Sequence, residues 1–409
     1  MTTQWHRFET RWQGSREPED ALAVCPLVRF QHESGAEREV GAFWDGGRTW
    51  EVRFRPDLPG RWTYRSECAE DAALEGQDGV FECGTAETET SNPLYRYGAL
   101  RVAPSGTYFE HADGTPFLWL GDTAWNGPLK SSAADWEEYL KDRAAKRFSV
   151  IQFVGSQWLA AAGDAEGRRA YNGGERIQID PVYFRRLDAR MDAINRHGMA
   201  AAPVIAWAAH WNKNALDLNP GTSLSHDQLV RLGRYFVARY GAHHVFWILA
   251  GDGEYRGAAA QRWKKIGREI FPDGQQLATM HPGGLSWVAD EFADEPWFRF
   301  NGYQSAHWRA KSMHWITQGE PSYPRRKDAA MPHVDLEICY EAHEDFDLKL
   351  PFSAADVRRA AWSTLLTGSP AGFTYGAHGV WSWEEQRNPP MNHPRTGLAL
   401  PWREAMGLP

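Results

Sequence analysis

The chain has 409 residues, 42% hydrophobic and 24% charged, with a formal net charge of −8. That is the balance of a globular protein, and its sign argues against nucleic acid or an anionic membrane surface as a partner. No apolar stretch reaches the roughly 18 residues of a membrane span, and Met1-Thr-Thr-Gln-Trp-His-Arg7 lacks the apolar core of a secretory leader, so a cytoplasmic protein is expected.

Residues 1–97 read as all-β. Trp50, Val52 and Phe54 alternate with Glu51, Arg53 and Arg55, the period of a half-buried strand. Asp45-Gly-Gly47 before it and Pro56-Asp-Leu-Pro-Gly60 after it are turn signals, and Trp62 and Tyr64 resume the alternation. Short strands at turn-punctuated intervals predict a small immunoglobulin-like sandwich, and nothing in it carries chemistry.

Residues 98–409 change character. A hairpin over Tyr108–Phe117, turning at Asp113-Gly114, leads into apolar strands alternating with amphipathic helices. The eight strands expected are Phe117–Leu120, Val150–Val154, Ala201–Ile205, Val245–Ala250, Leu277–Met280, Trp297–Phe300, His333–Leu336 and Gly372–Tyr375. Asp180-Pro181 starts one helix and Gly198 ends it. Ser225 with Gln228 reads as a capping box, and Ser353 opens a helix that runs to Gly368. Eight strand–helix units predict an α/β fold, a (β/α)8 barrel.

Two of these strands run into carboxylates, Val245-Phe-Trp-Ile-Leu-Ala-Gly-Asp252-Gly-Glu254 and His333-Val-Asp-Leu-Glu337-Ile-Cys-Tyr-Glu341. An ionised acid at the tip of a buried strand is costly unless it is paired or used. Groups at the C-terminal strand ends of a barrel converge on one pocket, and a facing pair of acids is what glycoside hydrolysis needs. By alternation Asp335 and Glu337 share one phase, as do Ile248, Ala250 and Asp252, so both tip acids are expected to face inward. Glu254 and Glu341 are rivals to Asp252 and Glu337 on this pattern alone. Glu341 suits a sugar-hydroxyl acceptor and Asp335 a supporting role.

Other strand ends offer polar and aromatic groups for a sugar: Asp122 and Trp125, Trp158, His210 and Trp211, His281, Gln304, Tyr340, and then Tyr375, His378 and Trp381. The chain holds 21 tryptophans, several just past strands, and flat rings suit the C–H faces of sugars. His210, His281 and His378 have no metal-ligand spacing, so no metal is expected. The four cysteines fit no zinc pattern and read as buried small hydrophobes. Gly251-Asp-Gly253 is too short for a dinucleotide loop, so no cofactor is expected.

The motifs Phe117-Leu-Trp-Leu-Gly-Asp-Thr-Ala-Trp125, Trp247-Ile-Leu-Ala-Gly-Asp252 and Leu336-Glu-Ile-Cys-Tyr-Glu341 resemble those of strands one, four and seven in apiosidase-like glycoside hydrolases, glycoside hydrolase family 140 and relatives. Gly41-Ala-Phe-Trp-Asp-Gly46 and Pro59-Gly-Arg-Trp-Thr-Tyr64 are similar to the β-sandwich that precedes that barrel. The resemblance implies an exo-acting glycosidase with a carbohydrate substrate, Asp252 as acid/base and Glu337 as nucleophile, and by analogy retention of configuration. Ile338 stands where many members have proline. The rival readings are a carbohydrate-binding barrel without activity and a sugar lyase or isomerase.

Overall fold

The computed structural model describes residues 2–322 and 331–409. Near the N-terminus, strands Thr2–Thr3, Asp78–Gly84, Gly60–Glu67, Leu27–His32 and Glu37–Gly41 form one sheet, and Phe8–Gln13, Thr49–Phe54 and Phe43–Trp44 a second. Trp12, Phe30, Trp50, Val52, Phe54 and Trp62 fill the space between the sheets.

The strand Thr49–Phe54 departs from expectation. Its alternate residues Glu51 and Arg53 are buried rather than solvated. The reason is a second contact, because that face of the sheet docks on two barrel helices, Pro181–Arg196 (α2) and His226–Tyr240 (α3). Arg53 Nε donates to Glu51 (2.7 Å) and its Nη2 to Asp188 of α2 (2.8 Å). Arg239 of α3 donates to Asp188 through Nε (2.7 Å) and to Asp45 through Nη2 (2.9 Å), and its guanidinium lies over the Phe43 ring. Removing one member of such a buried network strands the others. Arg239→Ala is therefore expected to lower unfolding stability by about 3–5 kcal/mol, read as a fall in the denaturation midpoint. An unchanged midpoint would show that the sandwich docks without this network.

The eight barrel strands are Trp119–Thr123 (β1), Val150–Val154 (β2), Ala200–Trp207 (β3), Trp247–Gly253 (β4), Ala278–Pro282 (β5), Asn301–Gln304 (β6), His333–Glu337 (β7) and Gly372–Tyr375 (β8). Their order is β5-β4-β3-β2-β1-β8-β7-β6, with parallel pairing throughout. The seam between β5 and β6 closes through an Ala278–Phe298 bridge and the Thr279 hydroxyl, which donates to Phe300 O (2.7 Å) and accepts from Gly302 N (2.9 Å). The hairpin before β1 plugs the opposite end of the cylinder, where the Phe109 ring meets Phe246 and Phe300.

Strand six begins four residues later than the sequence suggests. Trp297 and Phe298 are apolar because Trp297 packs on Phe271 and Phe292 rather than because they belong to the barrel wall. The helices follow their signals more closely. Asp180 caps α2 by accepting from Val182 N (2.9 Å). Ser225 caps α3, but its box is half-made, since the Gln228 side chain turns to Ile177 N (2.8 Å). Each fully buried apolar side chain on α3, such as Leu232 and Phe236, contributes about 1.5–3 kcal/mol. Cys68, Cys83 and Cys339 are buried as expected, whereas Cys25 is exposed. No helix among the described residues is long and apolar enough to cross a membrane.

Candidate active site

One cavity of about 950 Å³ opens at the C-terminal ends of the barrel strands. Among the described residues none before Trp125 lines it, so the N-terminal sheets contribute nothing to its wall. Asp252, Glu254 and Glu337 all reach it, and Glu341 does not.

The two tip acids arrive there by a device that alternation misses. Along β4, Ile248 pairs with Thr279 and Gly251 with His281, three residues advancing against two. Along β7, Asp335 pairs with Tyr303 and Glu337 with Gln304, two advancing against one. These are β-bulges, which bend a strand and re-aim its side chains. Their effect is clearest on β7. Asp335 accepts from Ser305 N (3.1 Å) and from the Thr364 hydroxyl (3.3 Å) of the helix Ala354–Thr367, so it faces the helix layer and not the pocket. Strict alternation would send Glu337 the same way. Asp335 does play a supporting part, since it also accepts from Glu337 N (3.3 Å), and burial pushes its own carboxyl up to about 7.

Asp252 sits in the left-handed region, φ 52°, between two glycines. A Cβ on Gly251 would come within 2.5 Å of the Trp207 ring, so only glycine lets that indole pack beneath the acid. Gln304 Nε2 donates to Asp252 Oδ1 (2.9 Å) and Trp211 Nε1 to Oδ2 (3.3 Å). Burial pushes the Asp252 carboxyl above its ordinary range, and the Glu337 charge pushes it further, against His281, Trp211 and Gln304. Glu337 goes the other way. Burial raises it, but His281 and His307 more than offset that and hold it at about 2.

Aromatic rings make much of the wall. Trp125, Trp158, Trp207, Trp211 and Trp381 line the cavity. Trp158 packs on Trp207 (4.5 Å between centroids) and Trp125 on Trp207 (5.2 Å). Trp211 is 50% exposed, an open platform at the rim beside His210. Trp125 Nε1 donates to the Tyr340 hydroxyl (3.1 Å), and both line the pocket with Gln304.

Five expected subsite residues stand outside the wall. Asp122 lies inside β1, paired with Ile151 and Tyr375, because that strand runs three residues further than the sequence suggests. Its carboxylate points to the helix Ala133–Ala145 (α1), where it accepts from Tyr139 (2.6 Å) and pairs with Arg143, so it is structural. Glu341 accepts from the Tyr375 hydroxyl (2.8 Å), so these two satisfy each other behind the wall. His378 accepts from Trp381 Nε1 (2.9 Å) and thereby orients a ring that does line the pocket. His281 is fully buried, 3.5 Å from Glu337 Oε2, and touches the site through that acid.

Sequence reasoning missed His307, His343 and His393, all in the wall. His307 follows Gln304 by three residues, so a correct placement of strand six would have flagged it. His393 lies in an irregular loop after β8, held to the β2 side by a bond from Asn392 Nδ2 to Leu159 O (2.6 Å), and carries no spacing signal. Among the described residues no group of three or more His, Cys, Asp or Glu side chains is arranged to hold a metal ion.

With this geometry in view, comparison with known families is decisive. A family model described as "Apiosidase-like, catalytic domain" matches residues 103–409. The chain belongs to the apiosidase-like family. That membership makes it a glycoside hydrolase. A domain of unknown function, DUF5060, matches residues 1–69 of this apiosidase-like protein. No curated protein matches the chain. Among solved structures, a glycoside hydrolase is 24% identical with a TM-score of 0.66, over 78% of this chain and 74% of its own. A glycoside hydrolase family 5 protein from Bacteroides vulgatus ATCC 8482 is 23% identical with a TM-score of 0.66, over 78% and 70%. A second protein of that strain is 19% identical with a TM-score of 0.70, over 99% of this chain and 77% of its own. These likenesses extend to the fold.

Proposed function

We propose that the protein is a retaining, exo-acting glycosidase in which Asp252 is the general acid/base and Glu337 the nucleophile, on a plant or microbial oligosaccharide or glycoside. The observation that carries this reading is the divergence of two acids in one cavity. Asp252 is pushed toward holding its proton and Glu337 toward losing it. Environments that drive a pair of carboxyls apart assign one as acid and the other as anion.

In the first step a Glu337 oxygen forms a bond to the anomeric carbon as the bond to the leaving oxygen breaks, and that oxygen takes the Asp252 proton. In the second, the Asp252 carboxylate takes a proton from water. The water oxygen bonds to the anomeric carbon, and the bond to Glu337 breaks. The tryptophan wall offers faces for the sugar's C–H surface. The exo mode is supported by the loop after β8, which stands across one side of the cavity with the His393 ring against Trp211 (5.2 Å) and Trp381 (5.1 Å).

The test is a panel of aryl glycosides and oligosaccharides in 18O-water, with the first-formed anomer followed by proton NMR. One solvent oxygen at the anomeric carbon with configuration kept is the expected result. An inverted anomer would make Glu337 a base rather than a nucleophile, and an unsaturated product without solvent oxygen would replace hydrolysis by elimination.

A further inference from the structure

The segment after β6 turns sharply at Ala306, φ 60°, whose N–H donates to Glu337 O (3.1 Å). That turn lays the next residue, His307, over the end of β7. The residue is 4% exposed and its Nε2 lies 2.8 Å from Glu337 Oε1. Its other nitrogen, Nδ1, receives the main-chain N–H of Tyr340 (3.3 Å). A ring nitrogen that accepts an N–H has its lone pair free, so the imidazole proton sits on Nε2 and is donated to Glu337. The donor of that tautomer-setting bond is three residues past Glu337 on the same segment. The ring cannot swing, because His343 stacks on it (4.0 Å, 20°) and Tyr340 and Phe346 meet it edge-on at 4.6 and 5.5 Å.

The two oxygens of Glu337 are therefore unequal. Oε1 is held by a full hydrogen bond. Oε2 has His281 Nε2 at 3.5 Å, the outer limit of a hydrogen bond and the longer of the two contacts.

We propose that His307 is a positioning residue for the nucleophile: it ties down Glu337 Oε1 in one orientation and leaves Oε2 as the oxygen that bonds to the anomeric carbon. This rests on the glycosidase reading above. His307 also helps to keep Glu337 ionised against its burial. The other titratable groups facing Glu337 are Asp252 from β4, His281 from β5, the Tyr340 hydroxyl after β7 and His393 from the loop after β8.

Two measurements test it on the full chain. The first is long-range proton–nitrogen NMR of protein labelled with 15N-histidine, with the His307 signals assigned by their loss in His307→Gln. The Nε2–H pattern at pH 7 is expected, and an Nδ1–H pattern overturns the proposal. The second is kinetics on the best aryl glycoside of the panel. His307→Phe keeps the packed ring but has no donor. It is expected to lower kcat about 10²-fold, as loss of one preorganised donor does, with KM within about threefold. The acid limb of kcat/KM moves to higher pH, because Glu337 loses a group that favours its anion. His307→Gln puts an amide N–H near the former Nε2 and recovers about tenfold or more of the lost rate. Equal losses in both variants with an unmoved acid limb overturn the proposal and leave the glycosidase reading intact. No turnover of any glycoside by the wild-type protein removes both.

Discussion

Glu337→Gln is expected to lower kcat on an aryl glycoside by about 10⁵- to 10⁶-fold, the scale of removing a covalent nucleophile. The amide has the size of the carboxylate but no anionic oxygen to hold an oxocarbenium-like centre or to bond to it. The effect falls on kcat and kcat/KM together, since the lost interaction belongs to the transition state. The expected melting temperature stays close to that of the wild type, because the amide oxygen can still accept from His307 Nε2. A loss of less than about tenfold would take Glu337 out of the mechanism and turn attention to Glu254, the other glutamate in the cavity wall.

Asp252→Asn is expected to give the second largest loss, about 10²- to 10⁴-fold, the usual worth of a general acid–base group. It depends on the substrate. Glycosides with acidic phenol leaving groups need little protonation and lose least in the first step. The pH profile separates the two roles. Because Asp252 is raised, its proton survives to higher pH than an ordinary carboxyl's, and its loss as pH rises sets the alkaline limb of kcat/KM. Asparagine has no such proton, so that limb disappears. Because Glu337 is held at about 2, it stays ionised through mild acid, and the acid limb lies low. The groups are coupled: the Glu337 charge is one of the causes that raise Asp252, so Glu337→Gln should bring Asp252 back toward its ordinary range. A direct titration of Asp252 by carboxyl NMR in the two backgrounds reads that shift.

Much of this was visible in the order of residues. Strand–helix alternation from residue 98 onward predicts the barrel, and the helix signals at Asp180 and Ser353 sit where caps form. The two acids stood out because a buried strand has no packing use for them. What alternation could not supply is side-chain direction near strand ends. Period two puts Asp335 and Glu337 on one face, and a bulge separates them. The same counting placed Asp122 beyond its strand, when it belongs to a buried ion pair inside it. His307, His343 and His393 were hidden for another reason. They come from loops, where position depends on turns such as the one at Ala306, and no short-range pattern encodes the contact of His307 with an acid 30 residues away. Likewise the burial of Glu51 and Arg53 depends on a docking partner more than 130 residues distant in the chain.

The Thr279 seam has its own consequence. The other neighbouring strands pair along main-chain ladders, but β5 and β6 meet through one isolated bridge and a hydroxyl. Those two strands carry or lead into His281 and His307, the groups on either side of Glu337. Thr279, two residues before His281, thus helps to hold together the strands that present this pair of imidazoles. Serine could keep that contact and valine could not, so here the integrity of the scaffold and the acidity of the site are written in the same codon.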